Sequence, residues 1–127
     1  MQTKVDGPFR TFVEEVAGAL TGKEGYLVEL GSTGGVQLLT TGIAIGVVEG
    51  KLQGENAVTV RLLGKGGTVK LVQGGSVALG SRLLGGSGGK VTTLTSGRSV
   101  GIKIAPATSG ASGDVIEVLD VIENIPA

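Results

Sequence analysis

Twenty-five glycines cut this chain of 127 residues into short apolar runs, and that spacing constrains its fold more than any other feature. The runs are rich in valine and leucine; they include 26–30 YLVEL, 57–63 AVTVRLL, 68–73 TVKLVQ, 99–104 SVGIKI and 115–122 VIEVLDVI. β-Branched side chains suit a pleated surface, and glycine supplies the positive φ of tight turns, so runs bounded by Gly, Ser and Thr read as strands. A glycine content this high often accompanies disorder. Here 40% of the residues are hydrophobic and the mean hydropathy is +0.35, which supplies enough apolar surface to offset chain entropy. The expected fold is all-β, a small barrel or sandwich of about eight to ten short strands.

The first 24 residues differ in character and read as an N-terminal arm, with residues 25–127 forming the β-domain. The arm holds both phenylalanines, Phe9 and Phe12, and the Glu14–Glu15 pair. Phe9, Phe12, Val13, Val16 and Leu20 fall near helical spacing, but Gly18 and Gly22 weaken a helix. An extended arm leading into the first strand is the preferred reading, with a one-turn helix as the alternative. Aromatic anchors carry much of the energy of an interface, so Phe9, Phe12 and Val13 are the candidate contacts to a neighbouring chain. The competing assignment has both rings capping the end of their own barrel.

Further along, 36–50 reads as two short strands, with Gly42 and Gly46 marking bulges or close backbone approach. Val58, Val60 and Leu62 alternate with Thr59 and Arg61, a half-buried pattern. Gly64–Gly67 then reads as a hairpin turn into 68–73, and 85–89 GGSGG is the loosest segment. The apolar residues of 36–48 and 115–122 point both ways along their strands, as if a second face were covered, for instance by another subunit.

Chemistry is sought and mostly not found. The chain has no cysteine and no histidine, which removes thiolate chemistry, disulfides and the commonest general base. Eleven basic and eleven acidic residues balance, so no net field draws nucleic acid or an anionic membrane. No apolar stretch approaches the ~18 residues of a spanning helix, and a soluble protein is expected. The Gly-Lys pairs fail as phosphate loops, because Leu84 and Val91 stand where that motif needs Gly and Ser or Thr around Lys90, and Thr59 and Gly66 do so around Lys65. Glu117 and Asp120 fall on opposite faces of a strand and do not form a carboxylate dyad; like Glu14–Glu15 they read as solvated charges that blunt strand edges. The serines beside turn glycines lack a base. No enzyme activity, metal or cofactor is expected.

The order of segments is more specific than their composition. GYLVEL is followed by a Gly-Val-Val step at 46–48 and by VTVRLLGKGGTVKLV. Next come SVALGSRL, GGKVTTL, VGIKIAPA and a closing GDVIEVL. This series, over residues 22–122, resembles the small β-barrel capsid decoration (cement) proteins of tailed bacteriophages. The positions that carry the match, such as Gly25 and Val28, Val58, Val60 and Gly64, and Gly89 to Val91, are framework rather than a site. The resemblance implies a homotrimer seated on the outer surface of the shell of major capsid protein, clamping neighbouring subunits, with no nucleic-acid or membrane partner. A different class of reading is a non-viral β-rich binding or carrier module. A carrier lysine would need a hairpin tip between hydrophobic residues, whereas Lys65 lies between glycines.

Overall fold

A computed structural model describes residues 8–51 and 56–126. Twelve strands follow one another along the chain: β1 (Phe9–Val13), β2 (Leu27–Leu30), β3 (Val36–Leu38), β4 (Gly46–Lys51), β5 (Ala57–Leu62), β6 (Thr68–Val72), β7 (Leu83–Gly85), β8 (Val91–Thr93), β9 (Gly97–Ser99), β10 (Ile102–Ala105), β11 (Val115–Leu119) and β12 (Glu123–Ile125). No helix occurs among the described residues, and the fold is all-β. Two more strands are present than the upper expectation, because three-residue strands such as β9 and β12 are too short to show a period-2 pattern.

The strands form four antiparallel sheets: β1-β5-β4-β2-β3, β10-β11-β6, β12-β9 and β7-β8. Among the described residues no continuous ladder closes a sheet into a barrel. The five-stranded sheet curls until its two edges touch at one bridge, Glu14 with Val36, where the Glu15 N–H donates to the Val36 carbonyl at 2.8 Å. The second half of the chain is stitched instead by isolated bridges, Gln73 with Val91 and Arg82 with Ile102.

Alternation along β2 and β4 explains how one sheet serves two cores. Leu27 and Val47 face a cluster that also holds Val69, Leu71, Leu83, Val91, Ile116 and Val118 from the second half of the chain. Their neighbours Val28 and Val48 face the concave side, with Leu20, Val36, Val58 and Val60, and with Phe12 packed against the group. The apolar residues that point both ways are therefore buried by their own chain at these positions.

The turn at 64–67 does not make a hairpin. β5 lies between β1 and β4, whereas β6 pairs with β11 in another sheet. A hairpin and a crossover share the same glycine-rich signature, since both use the positive φ that glycine allows; here Gly64, Gly66 and Gly67 adopt +81°, +86° and +72°. What selects the crossover is distant in sequence. The Asp120 carboxylate accepts the N–H groups of Gly64 and Lys65 at 2.8 and 2.9 Å, and Arg61 binds both Asp120 and the Gly66 carbonyl.

Candidate docking surface

β1 is an edge strand. Among the described residues it pairs only with β5, from Phe9 opposite Arg61 to Val13 opposite Ala57. The Leu62 N–H donates to the Pro8 carbonyl and the Glu14 N–H to the Asn56 carbonyl, so the alternation of an antiparallel ladder turns the backbones of Phe9 and Thr11 away from β5. The side chains divide by parity. Phe12 points to the concave cluster, with the Arg10 guanidinium 5.0 Å from its ring centroid. Phe9 and Val13 point to the outer face and are 52% and 63% exposed. Of the three candidate contacts, two are thus surface groups and the third belongs in part to its own core. No helical turn joins them. Residues 1–7 of the expected arm lie outside the described residues.

Beside Phe9 and Val13 the outer face forms a shallow hollow of about 480 Å³, lined by Thr11, Gly50, Lys51, Ala57 and Thr59. Small side chains make its floor, because Thr11, Thr59 and Gly50 lie in one cross-strand row. The layer formed by β6, β10 and β11 covers the same sheet only further along, around Val47.

The buried charges were not legible in the sequence. Glu14 and Asp120, read as solvated edge charges, are 5% and 3% exposed. Glu14 accepts the N–H groups of Gly18 and Leu20 at 3.0 and 2.9 Å and pairs with the Lys51 ammonium at 2.9 Å. Burial raises its pKa, but Lys51 and the two N–H groups outweigh burial and hold the carboxyl below its ordinary value. Asp120, just past the end of β11, pairs with Arg61 at 2.6 Å, while Glu117 on that strand stays exposed. Glu15 caps the 31–35 turn: its carboxylate accepts the Thr33 hydroxyl at 2.7 Å and the N–H groups of Thr33 and Gly35.

Glu29 is buried, and among the described residues no cation pairs with it. It accepts the Thr40 N–H at 2.8 Å and hydroxyl at 2.7 Å, the Gln37 amide at 2.7 Å and the Gly42 N–H at 3.0 Å. These donors, led by the Thr40 N–H, bring its pKa down to about 2. Lys103 is buried too, and its ammonium donates to the carbonyls of Val77 and Thr108 at 2.7 and 2.8 Å. Gln73, fully buried beside the same loop, donates to the carbonyls of Ser109 and Ala111.

Each of these groups holds a turn or a loop rather than facing a cleft. Among the described residues, no group of three or more carboxylates gathers to hold a metal ion. The chain matches no family model and no curated protein.

Proposed function

We propose that this chain is a capsid decoration (cement) protein of a tailed bacteriophage, which binds the outer surface of the shell of major capsid protein as a homotrimer and stabilises it. The ordered series of segments from GYLVEL to GDVIEVL supports the family, and the all-β architecture agrees with it. The observation that carries the docking role is β1: an edge strand with Phe9 and Val13 turned outward beside a hollow floored by small residues. Large apolar side chains grouped on one face are what an association surface needs.

The role requires no chemistry. A protein that binds only the assembled shell shifts the equilibrium toward assembly by mass action, and symmetric repetition multiplies modest contacts into avidity. Zero net charge keeps repulsion low between copies crowded on a shell.

The test is co-sedimentation with empty tailed-phage shells, followed by thermal rupture of shells with and without the protein restored. Binding together with a raised rupture temperature is the expected result. Equal rupture temperatures at full occupancy would reject the cement role, and failure to sediment would favour a non-viral binding module.

A further inference from the structure

We infer that the hollow between the loop at 39–44 and strands β7 and β9 is a docking site for an extended segment of a partner protein, one that carries an aliphatic side chain and an acidic residue two positions away. The inference goes beyond the reading above and concerns residues that the β1 surface does not use. The hollow holds about 210 Å³. Buried Leu39, Ala44 and Val100 make its floor, while Ile43 and Leu84 stand at its rim, 67% and 40% exposed. Alternation along β7 produces half of this rim, turning Leu83 into the core and Leu84 outward.

Charge selects the occupant. Three of the four arginines have partners: Arg10 lies over the Phe12 ring, Arg61 pairs with Asp120, and Arg82 pairs with Glu123. Arg98 is different. Half-buried in the wall of the hollow, it donates to the Ala44 carbonyl at 3.0 Å, and among the described residues no carboxylate pairs with it. A guanidinium presents its N–H donors in a rigid fork matched to a carboxylate, and a bond to a carbonyl orients that fork without neutralising it. Glu29, behind Gly42 in the same wall, already accepts from Gln37, Thr40 and Gly42, so it fixes the loop rather than Arg98.

Size decides between classes of ligand. Small-molecule sites commonly enclose about 300–1,000 Å³ and bury most of their ligand. A hollow of about 210 Å³ with an exposed rim suits one aliphatic side chain instead. In an extended segment residues i and i+2 point the same way, so a side chain in the hollow brings the acid two positions on toward Arg98.

The experiment titrates the full chain with the blocked peptide Gly-Leu-Gly-Glu-Gly and follows methyl resonances by NMR. Saturable shifts of Leu39, Leu84 and Val100 are expected, with binding about tenfold or more weaker when Gln replaces Glu in the peptide. In Arg98→Gln the two peptides are expected to bind alike. Ile43→Asp, a change at an exposed position, is expected to weaken the acidic peptide by like-charge repulsion. Should Arg98→Gln not fold, the two peptides and Ile43→Asp decide. Absence of saturable shifts, or equal affinity of the wild-type chain for both peptides, overturns the inference. So does a preference for Glu that survives in Arg98→Gln, or an affinity that Ile43→Asp leaves unchanged. Shifts gathered at Val13 and Ala57 would place the peptide on the β1 face and overturn it too. Isocaproate binding as tightly as the peptide would assign the hollow to a free carboxylate, with the same consequence. No shell is present in these titrations, so failure of the cement role leaves their result unaffected.

Discussion

Glu29 shows how a single residue can matter for stability without taking part in any site. Four donors from Gln37, Thr40 and Gly42 surround its carboxylate, and they satisfy the anion better than water does in the unfolded chain. The folded pKa of about 2 lies below the ordinary 4.5, so the stabilisation is fully present above pH 4.5 and is lost as the pH falls toward 2. Glu29→Gln keeps the shape but replaces an acceptor with an amide donor facing N–H groups. It is expected to cost on the order of 1–3 kcal/mol near neutral pH, and to flatten the decline of stability between pH 4.5 and 2. Urea unfolding of both proteins across that range checks it; parallel curves would remove Glu29 as the cause. Gly46 makes a steric prediction at the same scale. A Cβ there would meet a Val60 methyl group and would lie 2.7 Å from the Arg61 carbonyl oxygen. Gly46→Ala is expected to destabilise by about 1–3 kcal/mol, measurable as a shift of the urea midpoint at unchanged slope.

Among elements, the crossover at 64–67 separates what was legible in the sequence from what was not. The strand character of 57–62 and 68–72 follows from alternation, and the close approach at Gly46 follows from glycine inside a strand pattern. The pairing of those strands does not follow, because it is decided by Asp120, more than fifty residues away, acting on Gly64, Lys65 and Arg61. Period-2 arguments see one residue's face and not its partner across the molecule. Burial of Glu14 was hidden for the same reason: its partner Lys51 lies on β4, and its two N–H donors belong to the following turn. The candidate surface was legible only in part, since composition singled out Phe9, Phe12 and Val13 but not the edge strand that sends Phe12 to the other face. Breaking the Arg61–Asp120 pair from one side leaves a buried charge unmatched. Asp120→Asn is expected to cost about 3–5 kcal/mol, and Arg61→Met combined with Asp120→Leu to recover a large part of it. A double-mutant cycle by chemical denaturation measures the coupling, and simple additivity would mean that the pair does not hold the crossover.

For the whole molecule, the two core clusters share the five-stranded sheet, and this ties residues 8–20 to everything that follows. Leu20 has no exposed surface and sits among Val28, Val36, Val48, Val58 and Val60, while Phe12 packs against the same group. Glu14 accepts the Leu20 N–H and reaches Lys51, so the strand, the turn after it and the sheet opposite form one connected unit. A removable arm would lack such ties. Leu20→Ala is therefore expected to cost about 2–5 kcal/mol, the range for truncating a fully buried leucine. Deleting residues 1–20 removes β1, Leu20 and the partner of Lys51 together, and loss of cooperative unfolding is the expected outcome. Because Val28 and Val48 alternate with Leu27 and Val47, damage on the concave side should spread to the other cluster, so the intact protein is expected to unfold in a single transition. Calorimetry of the wild-type chain, Leu20→Ala and the truncated chain decides the matter. A truncated protein that retains a sharp transition near the wild-type temperature would show that residues 1–20 dock on a finished domain, and the concave cluster would then be stable without them.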